Sequence, residues 1–259
     1  MSELLIENDA GIVTLTMNRP EAKNALNLPM RAALRDAVQA IRHDRSVRAV
    51  VLKGAGKDFS AGGDVRGMNV EDAEAGRNRL DDLHGWIAQL VDLDRPVIAA
   101  VDGVAYGAGF SLALAADFVI ATDRARFCMP FMKVGLVPDC AAFYTLPRVV
   151  GLARAKELIF TAQEIDAQRA QSLGIVLDVV PAEQLAARTA AVAGALAGAS
   201  SAAFGLSKRA LNLSLGSDLR TMLELEAATQ GVAFSTAFHR EAVQRFRDKA
   251  APLFQWPAA

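Results

Sequence analysis

The sequence predicts an α/β fold, and three observations support this prediction. Short apolar, β-branched runs alternate with segments of helical spacing from residue 3 to residue 121. Glycine-containing loops follow two of the predicted strands. The chain has 259 residues, 52% of them hydrophobic, which is enough for one sizeable core or a domain with an appendage. Because helical crossovers connect parallel neighbours, the alternation indicates a parallel sheet.

The chain opens on a predicted hairpin. Residues 3–17 alternate apolar and polar side chains, and the turn inside this segment contains Asp9 and Gly11. Helical spacing follows over residues 30–42, and a β-branched strand is expected over residues 47–52. The order is therefore strand, strand, helix, strand.

The strand and helix pattern then repeats. The next predicted elements are a glycine-containing loop at 54–67, a helix from about 71 to 93, a strand at 96–101, a glycine turn at 103–109, a helix through 112–116 and a strand at 118–121. After Pro138 the strand signal is reduced to residues 175–180. From Ala182 to the end an alanine-rich helical pattern dominates, with breaks near Gly198, Gly216 and Gly231. We divide the chain into a core, residues 1–200, and a helical C-terminal region, residues 201–259.

Charge and composition exclude several functional classes. The chain carries 28 basic and 29 acidic residues without a basic block, so nothing favours a nucleic acid or an anionic membrane surface as partner. Apolar runs stop at Asp102 and Asp117, well short of the roughly 18 to 20 residues that span a bilayer. The first residues lack a secretory signal pattern, so a cytoplasmic location is expected.

Cysteines and histidines give no sign of a metal or a disulfide framework. Cys128 and Cys140 are expected to be buried thiols. His43, His84 and His239 lie far apart in the sequence, without the spacing of metal ligands. No metal or redox cofactor is expected.

Two glycine loops could carry chemistry. The segments 60–64 and 105–109 each follow a predicted strand, and small residues there let backbone N–H groups approach a ligand. Two N–H groups that converge on one oxygen would form an oxyanion hole. Glycine turns after strands are also routine in α/β folds, so a purely structural role stays open.

Two other interpretations compete at the second loop. The spacing from Gly107 resembles a dinucleotide fingerprint, but Leu112 stands at the third glycine position. The segment around Ser111 is close to the nucleophile elbow of serine hydrolases, with His239 as a conceivable base. His239 lies in an amphipathic helical pattern, which favours a packing role, and Ser111 fits the first turn of a helix.

Asp139 is the candidate acid and base. It stands among apolar side chains such as Phe131, Leu136 and Phe143, where desolvation would raise its pKa and strengthen it as a base. An aspartate after a proline and before a helical run is equally a good N-cap. Both roles stay open on these grounds.

Several collinear motifs resemble the crotonase (enoyl-CoA hydratase/isomerase) superfamily across nearly the whole chain. They are Asn18-Arg19-Pro20 with Asn24-Ala25-Leu26-Asn27, then Phe59-Ser60-Ala61-Gly62-Gly63-Asp64-Val65, Asp102-Gly103 through Gly107-Ala108-Gly109 to Asp117, Lys133-x-Gly135-Leu136-x-Pro138, Leu146-Pro147-Arg148-x-x-Gly151, Ala170-x-x-Leu173-Gly174-Ile175-Val176 and Glu241 to Phe246.

The resemblance implies a crotonase (ClpP-like) spiral of ββα units, a helical C-terminal region used in trimer formation, and an acyl-CoA thioester as substrate. The oxyanion-hole N–H groups would be those of Gly63 and Ala108. Contacts to the acyl-CoA would come from the following residues: Lys23, Ala25, Ala61, Gly63, Asp64, Val65 and Arg66. A homotrimer or a dimer of trimers is expected, with coenzyme A entering only as part of the substrate.

Departures from the family pattern favour isomerisation. Enoyl-CoA hydratases of this family carry two glutamates that add water, and Ser111 and Phe131 occupy those positions here. Hydration needs a group that activates water, and neither side chain can serve as that base. Asp139 stands where family members that move double bonds carry an acid, within the Gly-Leu-x-Pro-Asp pattern of the phenylacetate-pathway isomerase branch. The resemblance therefore implies interconversion of 3-enoyl and 2-enoyl thioesters or isomerisation of a ring epoxide.

Three alternatives stay open beside the isomerase: an enoyl-CoA hydratase, a serine hydrolase that uses Ser111, and an acyl-CoA binder without catalysis. The acyl pocket is expected to include Phe131 and Tyr144, together with Phe143, Met132 and Trp86. Aromatic side chains at such spacings are as often core residues.

Overall fold

A six-stranded sheet forms the centre of the computed structural model, which describes residues 2–67 and 72–258. The first elements are β1 (Leu4–Asp9), β2 (Ile12–Met17), α1 (Leu28–His43), β3 (Ala49–Gly54), α2 (Ala73–Val91), β4 (Val97–Val101), β5 (Val104–Tyr106), α3 (Ala108–Leu114), β6 (Phe118–Thr122) and β7 (Arg126–Cys128). The chain continues with α4 (Ala142–Thr161), β8 (Ile165–Asp166), α5 (Ala167–Ser172), β9 (Asp178–Val180), α6 (Leu185–Ala197), α7 (Ser201–Ser214), α8 (Leu219–Phe234) and α9 (Ala237–Arg247). The predicted start of α2 at Glu71 lies outside the described residues.

The strand order of the large sheet is β1-β2-β3-β4-β6-β9. Only the β1–β2 hairpin is antiparallel, and every later pair in this sheet is parallel. A second sheet of order β5-β7-β8 stands beside it. The predicted parallel α/β architecture is confirmed.

Helix α1 shows how the sequence specifies these elements. The Asn27 side chain caps the helix by accepting a hydrogen bond from the Met30 N–H at 2.9 Å. Its buried side chains recur at helical spacing and include Leu34, Val38 and Ile41. They join α2 and one face of the large sheet in the main core. Helix α6 covers the opposite face over a smaller apolar cluster.

Three short strands were not predicted. The predicted glycine turn at 103–109 contains β5, while β7 and β8 occupy segments with no strand prediction. Strands of two or three residues are too short to show an alternating pattern, and their pairing partners are distant in sequence. The predicted break at Gly231 is also wrong, because α8 runs through it to Phe234. A single glycine weakens a helix without ending it.

The C-terminal helices differ in how they pack. Helix α7 lies against the core, where Gly205 approaches Asp94 and Lys208 pairs with Asp117. Helices α8 and α9 have no buried residue. The division near residue 200 stays a prediction.

In the described part of the chain no single helix is long and apolar enough to cross a membrane. The two helical segments Ala182–Ala197 and Ser201–Ser214, bent by 102°, meet that criterion of length and composition only when taken together.

Candidate active site

Asn24 organises the first glycine loop from beneath. It is fully buried, and its Nδ2 donates to the carbonyl oxygens of Ala55 and Asp58 at 2.9 and 2.7 Å. Its own carbonyl accepts the Ser60 hydroxyl at 2.9 Å. A buried amide whose donors and acceptors are satisfied holds a loop firmly. The sequence shows Asn24 only as part of a motif, and its positive φ of 55° explains why a residue tolerant of that conformation stands there.

The residues expected to contact acyl-CoA are brought together by two backbone bridges. Ala61 N–H donates to the Lys23 carbonyl at 2.8 Å, and Leu26 pairs with Gly63 as a parallel bridge. In that bridge Leu26 bonds to the neighbours of Gly63, so the Gly63 N–H points away from Leu26. Ala25 lies within the same segment, and its carbonyl accepts from the Arg19 guanidinium at 2.6 Å.

Asp64 fixes the end of the first loop electrostatically. Its carboxylate accepts from Arg66 through Nε and Nη2, both at 3.1 Å, and from Arg19 at 3.0 Å. These bonds, the Arg66 bond first, hold the pKa of Asp64 well below its usual range. Val65 is 68% exposed, and the Arg66 side chain is also open to solvent. The loop therefore presents an apolar and a cationic side chain at the surface.

The second loop begins helix α3. Gly107 adopts φ +52° and donates its N–H to the Cys128 carbonyl at 2.9 Å, while its own carbonyl accepts from Ser111 N–H. Ala108 is the first residue of the helix, where an N–H has no partner in the preceding turn. Among the backbone bonds outside regular elements in residues 2–67 and 72–258, neither Gly63 nor Ala108 is a donor.

The two loops are in direct contact. A Cβ placed on Gly62 would lie 2.6 Å from the Tyr106 carbonyl oxygen and 3.2 Å from the Ala108 nitrogen. A Cβ on Gly109 would lie 2.4 Å from the Ser60 carbonyl oxygen. Glycine is therefore required at both positions for the loops to approach. Each loop carries one available N–H beside this contact.

Asp139 is not the cap of helix α4. The N-cap residue is Ala141, and no side chain donates or accepts a capping hydrogen bond there. The Oδ1 atom of Asp139 is buried and has no hydrogen-bond partner in the described part of the chain. Desolvation raises the pKa of Asp139, and the charge of Arg31 opposes this shift without cancelling it. Cys140 and Ala141 both adopt positive φ, which turns the chain sharply after the carboxylate.

A pocket of about 260 Å³ opens beside Asp139. The other residues that line it are His84, Ile87, Ala88, Pro138, Ala141, Ala142 and Phe143. The wall is apolar apart from Asp139 and His84, so the carboxylate faces a poorly solvated space. Such a space suits an acyl group with a reactive carbon near the carboxylate.

Basic side chains near Asp139 were missed by sequence reasoning. Arg31 is 5% exposed, and its Nε has no hydrogen-bond partner among the described residues. Arg31, Arg79 and His84 all interact electrostatically with Asp139. They come from α1 and α2, whose sequence carries no motif at these positions. The one signal available in the sequence was the position of Arg31 on the buried face of α1, next to Met30 and Leu34.

Phe131 and Tyr144 lie in different surroundings. Phe131 is buried in a short 3-10 helix, Pro130–Val134, and its ring comes within 3.7 Å of a Cβ placed on Gly107. It therefore packs against the second loop. The Tyr144 hydroxyl donates to the Asn212 carbonyl, and Arg148 lies 3.4 Å over the Tyr144 ring. Phe143, rather than Tyr144, lines the pocket beside Asp139.

Ser111 and His239 do not form a nucleophile and base pair. Ser111 is fully buried, and its hydroxyl donates to the Gly107 carbonyl at 3.1 Å. His239 packs edge-on against Phe234, with ring centroids 5.1 Å apart, between the C-terminal helices. Cys128 and Cys140 are buried free thiols, as predicted. Within residues 2–67 and 72–258, no three His, Cys, Asp or Glu side chains group as a metal site.

Comparisons with known proteins cover nearly the whole chain. A family profile described as enoyl-CoA hydratase/isomerase matches residues 7–257. The 1,2-epoxyphenylacetyl-CoA isomerase of Escherichia coli (strain K12) is 38% identical over 258 residues, which are 98% of each protein. The crotonyl-CoA hydratase of Syntrophomonas wolfei subsp. wolfei is 34% identical over 249 residues, 95% of each.

A solved structure agrees with these matches. The crystal structure of an enoyl-CoA hydratase/isomerase from Cupriavidus metallidurans CH34 has a TM-score of 0.95 and 40% identity, and the match covers 100% of this chain and 98% of that one. The crotonase fold predicted from the motifs is thereby confirmed. The relatives include both an isomerase and a hydratase. They establish the family, and the reaction has to be inferred from the residues of the site. The chain belongs to the enoyl-CoA hydratase/isomerase family, within the crotonase superfamily.

Proposed function

We propose that this enzyme shifts a double bond between the 3-enoyl and 2-enoyl positions of an acyl-CoA thioester, or isomerises a related ring epoxide, with Asp139 as acid and base. One observation carries the proposal: the Asp139 Oδ1 is buried, has no hydrogen-bond partner within residues 2–67 and 72–258, and lies next to an apolar pocket. A carboxylate in that state accepts a proton more readily than an exposed one. The 1,2-epoxyphenylacetyl-CoA isomerase of Escherichia coli, 38% identical, supports the isomerase side of the family.

The proposed reaction needs one base and one anion site. Asp139 removes a proton from the α-carbon of the 3-enoyl thioester, and the electron pair moves onto the thioester oxygen. The N–H groups of Gly63 and Ala108 stabilise that oxygen as charge develops. The protonated Asp139 then returns its proton to the γ-carbon, which leaves the double bond conjugated with the carbonyl. No atom is gained or lost.

Water addition fits this site less well. Phe131 is apolar, and the Ser111 hydroxyl is already donated to the Gly107 carbonyl. Neither side chain can activate a water molecule, and hydration needs that step. Because the crotonyl-CoA hydratase of Syntrophomonas wolfei is 34% identical, hydration is the competing reaction to be tested.

Substrate binding and assembly complete the proposal. The acyl-CoA contacts would come from the first loop and its neighbours: Lys23, Ala25, Ala61, Gly63, Asp64, Val65 and Arg66. A homotrimer or a dimer of trimers is supported by apolar side chains exposed on α8 and α9, such as Leu219 and Phe246. Coenzyme A enters as part of the substrate. The cytoplasmic location and the absence of a cofactor stay predictions.

Turnover of a trans-3-enoyl-CoA tests the mechanism, followed by the absorbance of the conjugated product. We expect Asp139→Asn to lower kcat by about 10³, since a positioned base contributes on the order of 10² to 10⁴. Asp123→Asn, an exposed aspartate in the turn after β6, serves as the matched control and should keep full activity. Equal rates for wild type and Asp139→Asn would reject Asp139 as the base.

Three further outcomes would replace the proposal. Hydration of crotonyl-CoA at a rate comparable to isomerisation would identify a hydratase. Tight thioester binding without turnover of any enoyl-CoA would identify a binder. Stoichiometric fluorophosphonate labelling that is lost in Ser111→Ala would identify a serine hydrolase.

A further inference from the structure

Tyr106 occupies the position that joins the two glycine loops. It is the last residue of β5, two residues before Ala108. Its N–H donates to the Ser60 carbonyl at 2.9 Å, and its carbonyl oxygen lies against Gly62. The Tyr106 backbone is therefore one of the contacts that connect the loop carrying Ala108 to the first loop.

The Tyr106 side chain is anchored on the side opposite the core. Alternation along β5 buries Ala105 and leaves the Tyr106 ring half-buried. The Tyr106 hydroxyl donates to the Glu164 carboxylate, which precedes β8. Burial, and secondly the hydrogen bond to Glu164, raise the pKa of Tyr106, so the phenol stays a protonated donor.

Glu164 also faces an arginine of the small sheet. Its Oε1 lies 3.8 Å from Nε of Arg126 on β7, and β7 pairs with β8 through Arg126 and Asp166. Register also places Tyr106 opposite Cys128, whose carbonyl accepts the Gly107 N–H at 2.9 Å. The side-chain bond and the backbone bond hold residues 106 and 107 from two directions.

We infer that the Tyr106–Glu164 hydrogen bond is a clamp that holds the Ala108 N–H in line with the Gly63 N–H, which makes Tyr106 a positioning residue for the thioester oxygen. The inference rests on the proposed oxyanion hole. Small displacements of a donor weaken stabilisation of developing charge, because the benefit depends on preorganised geometry. The phenol bonds to Glu164, whereas the proposed acyl-CoA contacts come from residues 23–66, so we expect those contacts to stay in place.

The clamp predicts a selective loss in kcat. Tyr106→Phe should lower kcat for the 3-enoyl-CoA about tenfold with KM unchanged, less than the 10² to 10³ expected for losing a whole oxyanion donor. Glu164→Gln keeps an acceptor and should lose less than Glu164→Ala. The double variant Tyr106→Phe with Glu164→Ala should be no slower than the slower single variant. Glu157→Gln, a half-buried carboxylate on α4 that pairs with Arg154, is the matched control and should keep wild-type kcat.

A chromophoric thioester separates the clamp from the reaction. The absorbance of 4-(dimethylamino)cinnamoyl-CoA moves to longer wavelength when hydrogen bonds polarise its carbonyl, whether or not the enzyme turns over enoyl-CoA. We expect a red shift on wild-type protein and a smaller shift on Tyr106→Phe at saturation, at equal melting temperature. A full shift and full kcat in Tyr106→Phe would overturn the clamp and leave the proposed function intact. No shift on wild-type protein would overturn the oxyanion hole, and with it both proposals.

Discussion

At the scale of single residues, substituting Asp139 distinguishes a helix cap from a catalytic base, because the two roles predict opposite changes in stability. Removing a capping aspartate lowers stability by about 1 kcal/mol. Asp139 makes no cap, and its buried Oδ1 has no partner in the described part of the chain. We therefore expect Asp139→Asn to raise the free energy of unfolding at pH 7, since it removes the cost of a desolvated charge.

The pH dependence of this effect follows from the raised pKa of Asp139 in the folded protein. Between the ordinary carboxyl pKa and the raised one, the folded state binds more protons than the unfolded state, so wild-type stability falls as pH rises. Asp139→Asn lacks this dependence. The two proteins should therefore be equally stable near pH 4 and diverge above it, as measured by urea unfolding at several pH values. A variant less stable than wild type at pH 7 would restore the structural interpretation.

At the scale of elements, the sequence predicted those whose periodicity is long enough to read. Helix α1 and strands β2, β3 and β4 show their pattern over five or more residues, and the structure confirms them. Strands β5 and β7 have three residues each and depend on partners far along the chain. Their existence is a tertiary property, which local patterns do not carry.

The same limit applied to the site. The two glycine loops and Asp139 were predicted because each stands in a local motif. Arg31 and His84 come near Asp139 only because α1 and α2 pack beside the turn that follows Pro138. Tyr144 was predicted to line the acyl pocket because it is aromatic; in the structure its hydroxyl bonds to Asn212 on α7, and Phe143 lines the pocket beside Asp139. Neighbourhood in sequence did not indicate which face of α4 meets the pocket.

The contact between the two loops gives a prediction at this scale. Gly62→Ala would place a methyl group 2.6 Å from the Tyr106 carbonyl oxygen, in a backbone conformation of φ +94°. We expect loss of stability by about 2 to 3 kcal/mol and of kcat by at least about 10², because the loops must separate.

Gly174→Ala supplies the comparison. It has a similar φ of +79°, but apart from its two chain neighbours no heavy atom of the described residues lies within 4 Å of its added Cβ. It should lose only about 1 kcal/mol, the cost of a left-handed alanine, and keep its activity. Chemical denaturation and the 3-enoyl-CoA assay measure both quantities. Equal effects of the two substitutions would mean that the loops are not in close contact.

At the scale of the whole molecule, one buried ion pair joins the helical C-terminal region to the core. Lys208 of α7 is 7% exposed, and its Nζ lies 2.8 Å from Oδ2 of Asp117, which precedes β6. The same Oδ2 accepts the Val97 N–H at 2.8 Å. The carboxylate thus connects α7 to neighbouring strands β4 and β6 across the division near residue 200.

Removing one member of this pair should be more damaging than replacing both. Burial already raises the pKa of Asp117 with Lys208 present, so Lys208→Met leaves a buried, unpaired carboxylate. We expect that variant to lose about 3 to 5 kcal/mol at pH 7. The loss should shrink as pH falls, since protonation of Asp117 relieves the unpaired charge.

Adding Asp117→Asn to Lys208→Met should recover part of the loss, because the amide is uncharged and still accepts the Val97 N–H. Urea unfolding of wild type, Lys208→Met, Asp117→Asn and the double variant measures the coupling. If Lys208→Met unfolded like wild type at every pH, α7 would fold independently of the sheet. A single cooperative transition shifted to lower urea would instead mean that the ion pair makes the core and α7 one unit, because a loss at the contact then destabilises both.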